Sequence, residues 1–505
     1  MKTLLFFALL FCIINGFCQV APSVSPTEAF ITYGGNVTLT ASGCIGTVNW
    51  STGQTGTSIN VAPRLTTRFT ATCSDSTMSS GPSNSVPVEV GLITATDSSN
   101  IVVSSSVSMG GYQYISNNYI TGSGRIEPDA GVQFKAQNYV QLNPGFEAKA
   151  GSVFKAFTGK KLELIPVEVT TGLQFPWEIL WGPDNFIWMT EKDGKISRVN
   201  PQTGAVEVLT TIPDVLSYGE GGLLGMVLHP DFVLNPYVYV IYNYSTLQGG
   251  VFERIVRFTY DSSNHTLASR LVLLQNITGG INHNGSRLVI TPDLKLYITT
   301  GDAGYTPLPQ DNTSLSGKIL RINLDGSIPN DNPTIGSPVW SIGHRNPQGL
   351  VYANGKLYCS SHGGAIEDEI NLIRKAGNYG WPDVEGSCDT PSEITFCTAN
   401  SVIEPIFSSG NTATWAFCGL DYYNNDAYPD WKNRLLMVSL KNQTLYSFKL
   451  SADGNTIDGA PTLHFVNQFG RLRDIAIAPN GKVYLCTSNG GNVDKIIELT
   501  PVVEQ

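Results

Sequence analysis

The chain is 505 residues long and carries 51 glycines, 14% charged residues and a formal net charge of −10. That length exceeds one ordinary domain, and the low charge with abundant glycine suits an all-β, turn-rich exported protein rather than a helical cytosolic one. The acidic balance excludes a broad surface for nucleic acid or anionic membrane.

Met1-Lys2-Thr3 precedes the apolar run Leu4–Ile14, a signal-peptide pattern too short to span a bilayer. Residues 1–18 are therefore expected to be removed, with cleavage near Cys18-Gln19. Lipid modification of Cys18 is the alternative, but the bulky Phe17 before it favours simple secretion to the periplasm, cell surface or medium. No later run is long and apolar enough for a transmembrane helix, so the protein is expected not to be transmembrane. Seven of the nine cysteines follow the signal. Cys44 with Cys73 would staple a small domain, and Cys388 with Cys397 would close a short loop. The odd count leaves at least one free thiol, and the absence of CxxC speaks against a thiolate metal site.

Residues 19–90 alternate apolar positions with Ser and Thr, as in Asn36-Val37-Thr38-Leu39-Thr40, and Trp50 lies between Cys44 and Cys73. This predicts a small immunoglobulin-like β domain. Residues 91–158 carry short, evenly spaced pieces such as Val132-Gln133-Phe134-Lys135-Ala136, the texture of a stacked-rung β module. Neither region shows a catalytic constellation; both read as spacers or glycan-adhesion accessories.

From residue 163 to 500 a hairpin recurs. Its copies are Trp181–Thr190, Ile290–Thr299, Val351–Cys359 and Ile477–Cys486, each a strand, an Asp- or Asn-containing turn and a second strand. Repetition over this length predicts a six-bladed β-propeller, with ligands gathered where the inner strands converge. Within it, Gly343-His344-Arg345-Asn346-Pro347-Gln348-Gly349 packs an imidazole, a guanidinium and a carboxamide into seven residues. Lys441, Arg471 and Arg473 follow. Together they gather fixed positive charge for a small anionic ligand or a developing negative charge. His283, in Asn282-His283-Asn284-Gly285, reads from the residues alone either as a general base or as a turn-binding side chain. His229 reads as a turn residue and His344 as buried support.

An ordered set of motifs covers this last region. It comprises Gly221–Gly225, His229–Phe232, Asn282–Leu288, Gly301-Asp302, Gly343–Gly349, Asp368–Asn371, Asn378–Pro382, Ser439–Lys441 and Arg471–Asp474. The region thereby resembles the glucose/sorbosone dehydrogenase family, soluble sugar dehydrogenases that use pyrroloquinoline quinone (PQQ). The stacked-rung region resembles a module appended to exported proteins of Bacteroidetes-type bacteria. The family resemblance implies PQQ and calcium as cofactors, oxidation of an aldose or related alcohol, and an unidentified electron acceptor. It implies His283 as general base, with Arg345 and Asn346 beside the quinone's reactive carbonyl. Lys441, Arg471 and Arg473 match positions at the cofactor's carboxylates. It implies the carbonyls of Gly363 and Gly364 as ligands of a bridging calcium. A structural calcium would take Glu369, Asp389 and the carbonyls of Glu385 and Ser387; a solvated acidic loop is the other reading. Trp415 either packs on the quinone face or is a core aromatic. Two departures bear on the substrate: Glu220 stands where glucose-oxidising members carry Gln, and Ala303 replaces another Gln. The rival readings are a non-catalytic propeller that binds carbohydrate or protein, and a calcium-dependent lactone hydrolase.

Overall fold

The computed structural model describes residues 20–503 apart from 33–34, 76–78, 92, 98–99, 117–118, 137–138, 159–161 and 412. The expected export signal and Cys18 lie outside the described residues. The chain divides into two compact units, one running to Leu162 and the other spanning Glu163–Val502.

The first unit begins with short, mostly antiparallel strands in three sheets. Along Val37–Ser42, Leu39 and Ala41 are buried and Thr38 and Thr40 exposed, because a strand turns successive side chains to opposite faces. Trp50 lies in the core and its indole donates to the Gly56 carbonyl at 2.8 Å, which satisfies the one polar atom the ring buries. The Cys44–Cys73 disulfide staples this core with a Cα–Cα distance of 5.5 Å. The pairing then becomes parallel. Ile93–Asp97, Val107–Ser116, Arg125–Ala136 and Val153–Thr158 stack in one sheet, and Asn100–Val103, Tyr119–Gly122 and Tyr139–Leu142 in another. Side chains repeat rung on rung: Gln113 donates to Gln133 at 2.8 Å, and the Phe134 ring meets Tyr114 and Phe154 edge-on at 5.5 and 5.2 Å.

The second unit is built from six four-stranded sheets. The innermost strands are Pro176–Trp181, Leu223–Leu228, Gly285–Ile290, Pro347–Ala353, Phe417–Tyr423 and Leu472–Ile477, and they define blades I to VI. Blade VI takes its outermost strand, Leu162–Leu173, from the start of the unit and its other three from the end. That exchange closes the ring and removes the free edges an open sheet would expose. The four repeated hairpins are the inner pairs of blades I, III, IV and VI. Their turns need a left-handed residue, supplied by Asn185, Leu294, Asn354 and Gly481, and Asn and Gly reach that region most easily. Blades II and V lack the repeat because longer segments join their inner strands. In blade II that segment is shaped by His229, whose Nδ1 accepts from the Asp231 amide at 3.1 Å.

One α-helix interrupts the β architecture among the described residues, Pro391–Asn400. Thr390 and Glu393 form its capping box, and Cys388–Cys397 ties the entering loop to it. Cys359, Cys418 and Cys486 are free and buried.

Candidate active site

Antiparallel pairing decides where the chemistry gathers. The start of each inner strand lies beside the end of the second strand of its blade: Gly285 pairs with Thr300, Pro347 with Ser361, Phe417 with Ser439 and Leu472 with Thr487. Residues just before an inner strand and just after a second strand therefore share one end of the axis. His283, Arg345, Asn346, Trp415 and Arg471 belong to the first class. Lys192, Asp302, His362, Gly363, Gly364 and Lys441 belong to the second.

His283 sits in the left-handed region with φ 54°, a conformation that costs a non-glycine residue energy and persists where the surroundings enforce it. Its amide donates to Glu220 Oε2 at 3.2 Å, and its carbonyl accepts from the Ala303 amide at 3.1 Å. A Cβ on Gly301 would come within 1.8 Å of that carbonyl, so only glycine fits before Asp302. The ring's Nδ1 lies 2.8 Å from Asp302 Oδ1. Asp302 is 1% exposed. Burial works to raise its pKa, but hydrogen bonds from His283, the Gly304 amide and Trp381 outweigh it and hold the carboxyl below its ordinary value. The Trp381 indole donates to Oδ2 at 2.9 Å. An ionised carboxylate accepts, so Nδ1 carries the proton and Nε2 is left as the basic nitrogen. That is the arrangement a general base requires.

Positive charge collects beside this pair. Burial lowers the pKa of Arg345 against the opposing pull of Asp302, Glu385, Glu220 and Asp368. Its Nε is buried without a hydrogen-bond partner, and its guanidinium lies 5.2 Å from the Trp381 ring centre. Arg473 is 9% exposed. Burial lowers its pKa too, and the neighbouring Arg471 adds to this. Its Nη1 donates to Gln348 Oε1 at 2.7 Å, while its Nε has no partner. Lys192 faces both Arg473 and Glu220, and burial followed by the Arg473 charge depresses its pKa. Lys192 was not expected from the sequence. Lys441 is exposed and joins the site through its amide, which donates to the Trp415 carbonyl at 3.1 Å. Among the described residues none of these cations has an ion-pair partner. His344 supports from beneath: it stacks on Tyr379 at 4.7 Å and bonds Ser341 at 2.8 Å. Burial and the Lys318 charge push it down to about 3.

Asp368 organises the far wall. It accepts from the Gly363 amide at 2.9 Å, from Thr414 Oγ1 at 2.7 Å, and from the amides of Trp415 and Ala416 at 2.5 and 2.7 Å. The Gly364 amide donates to Glu385 Oε1. Both glycine amides thus turn toward carboxylates, and their carbonyls accept no hydrogen bond among the described residues. Trp415 is half-buried, with Tyr446 stacked against it at 5.1 Å.

Beside the acidic loop 383–389, Glu369 at the start of its strand accepts from the Gly386 amide at 2.9 Å and from Asn371 at 2.8 Å. Burial pushes its pKa up to about 7, against those bonds and with help from Glu367 and Glu385. The Asn371 Oδ1 atom is buried and unpartnered. Asp389 is exposed, and its amide uses the Ser387 carbonyl at 2.9 Å. Among the described residues no three carboxylate, imidazole or thiol side chains converge tightly enough to hold a metal on their own.

A model of the glucose/sorbosone dehydrogenase family matches residues 173–496. The chain belongs to that family. It is 35% identical over 412 residues to quinoprotein glucose dehydrogenase B of Acinetobacter calcoaceticus, an alignment covering 65% of this chain and 86% of that one. It is 30% identical over 349 residues to aldose sugar dehydrogenase YliI of Escherichia coli, covering 65% and 91%. Among solved structures, the PQQ-bound aldose sugar dehydrogenase of Streptomyces coelicolor superposes with a TM-score of 0.59 at 32% identity, covering 68% of this chain and 98% of that one. Within the family match, Asp302, Lys192 and His362 are the site residues that sequence reasoning passed over. All three stand just past a second strand, and that position is the signal that would have found them.

Proposed function

We propose that this chain is a PQQ-dependent dehydrogenase of aldose sugars, exported after signal cleavage and delivering electrons to an acceptor still to be identified. One observation carries this reading: cations without counter-ions and buried donors without acceptors converge beside a His–Asp pair at one end of the propeller axis. A carboxylate-rich ligand supplies the missing partners, and PQQ is a tricarboxylate, so the residues present fit it. Membership of the family and the PQQ bound to the Streptomyces relative support the same choice.

Arg473, Arg471, Lys441 and Lys192 would hold the carboxylates. Arg345 and Asn346 would face the quinone carbonyl, with Trp415 as a packing surface. When bound, PQQ would supply an electrophilic ortho-quinone as the hydride acceptor. His283 Nε2 removes the hydroxyl proton, and Asp302 holds the ring's tautomer and stabilises the imidazolium that results. Arg345 places fixed positive charge where negative charge develops. Glu220, tied to the His283 amide, lies at the substrate side.

Calcium fits two places. The free carbonyls of Gly363 and Gly364 suit a hard cation. At Glu369, the crowding of Glu367 and Glu385 and the unpartnered Asn371 oxygen favour a cation shared with Asp389 and the carbonyls of Glu385 and Ser387. We also assign residues 19–90 and 91–158 to accessory modules that space the propeller or attach it to glycan.

The test is reconstitution with PQQ and calcium, followed by dye reduction across a sugar panel. Wild-type protein should reduce dye with at least one aldose, and His283→Ala should lose about 100- to 10,000-fold in kcat. Undiminished activity in His283→Ala would refute the assigned base.

A further inference from the structure

His362 follows the second strand of blade IV, and its hydrogen-bond geometry fixes where its proton sits. A backbone amide can only donate. The Gly285 amide donates to Asn346 Oδ1 at 3.1 Å, so the Asn346 carboxamide presents its NH2 group on the other side. That Nδ2 lies 3.4 Å from His362 Nδ1. An amide nitrogen donates, so Nδ1 accepts, the ring is neutral, and the proton is on Nε2. The contact is held from the backbone as well, since the His362 amide donates to the Asn346 carbonyl at 3.2 Å. Asn346 itself is fully buried, which leaves the carboxamide no room to be satisfied by solvent instead.

The Nε2 donor thus created is buried and completes no hydrogen bond among the described residues; the Phe417 carbonyl is the one backbone acceptor that bears on the ring. A buried donor left unmade costs free energy, and native folds rarely leave one without cause. Its surroundings say what kind of partner fits: the fixed charges that bear on it are the guanidiniums of Arg473 and Arg345, with the His283 ring beside them. An acceptor entering this space meets two guanidiniums and one neutral N–H.

We propose that His362 is a cofactor-binding residue, donating a neutral hydrogen bond from Nε2 to an acceptor atom of bound PQQ. The proposal rests on the PQQ reading above. It gives the site a donor that adds no charge, placed among cations that already balance the ligand's carboxylates. Asn346 then has two roles, facing the ligand and setting the His362 tautomer.

The test reads binding rather than turnover. Apoprotein is titrated with PQQ and followed by tryptophan fluorescence, for wild type, His362→Leu and His362→Gln, with melting temperatures recorded in parallel. Loss of the donor in His362→Leu should weaken PQQ binding by about 10- to 100-fold. His362→Gln, which keeps an N–H, should recover most of that loss. In wild-type apoprotein labelled with 15N, the His362 ring should show a protonated Nε2, and that resonance should move when PQQ is added. A folded His362→Leu protein that binds PQQ as wild type does, or a ring protonated on Nδ1, overturns the assignment. Failure of wild type to bind PQQ at all overturns the broader reading with it, so the two failures are distinguishable. If His362→Leu does not fold, the 15N measurement on wild type decides the question.

Discussion

The arginines at the mouth of the propeller and those elsewhere in it live by opposite rules. Arg287 bridges Glu178 and Asp474 at 2.5 and 2.9 Å and also donates to the Gln348 carbonyl at 3.0 Å. Arg198 pairs with Asp184 and Glu207, and Arg321 with Asp293 and Asp331. For these three, the carboxylates outweigh burial and raise the guanidinium pKa. Arg345 and Arg473 have no such partners, and burial lowers theirs. The fold therefore knows how to compensate a buried cation and does not do so at the mouth. Charge kept in place without its counter-ion is charge held for a ligand, at a cost to stability borne by the rest of the structure.

Substitutions on the two sides should behave differently. The largest loss of stability is expected for Arg287→Leu, which strands two buried carboxylates: about 3–5 kcal/mol in denaturant unfolding. A loss under about 1 kcal/mol would break the contrast. Next comes Glu253, fully buried, whose carboxyl bonds Ser286 alone among the described residues, at 2.8 Å. Burial raises its pKa to about 8, with the Ser286 bond opposing. The folded state thus holds a proton that the unfolded chain releases above its ordinary carboxyl pKa. Stability must fall as pH rises from about 5 to 8, by up to ~1.4 kcal/mol per unit. Glu253→Gln should remove that slope, gaining at least ~1 kcal/mol at pH 8 and little at pH 5. The smallest effect on stability is the most telling. Arg473→Met removes an uncompensated buried charge, so the ligand-free protein should melt no lower than wild type, while PQQ affinity falls about 100-fold. A matched drop in melting temperature would mean that Arg473 is structural.

The propeller was legible where its turns repeat. Four of six blades announced themselves because their inner strands meet in short Asp- or Asn-containing turns. Blades II and V did not, since a longer segment such as His229–Pro236 hides the same strand pair. The two disulfides were readable from spacing. In the site, Arg345, Asn346 and Arg473 stood out because they lie in compact motifs rich in polar side chains. Asp302 was visible only as part of Gly301-Asp302, because it meets His283 through strand pairing rather than proximity in sequence. Lys192 and His362 have no local signal, and each gains meaning only from the blade that carries it to the mouth.

The central claim is that the mouth holds a polyanionic cofactor. Calorimetric titration of PQQ into the ligand-free protein, at low and at high salt, tests it most directly. One-to-one binding with a Kd in the micromolar range or tighter, weakened by salt and weakened about 100-fold in Arg473→Met, is the predicted result. No binding at low salt, or binding indifferent both to salt and to Arg473→Met, would contradict it.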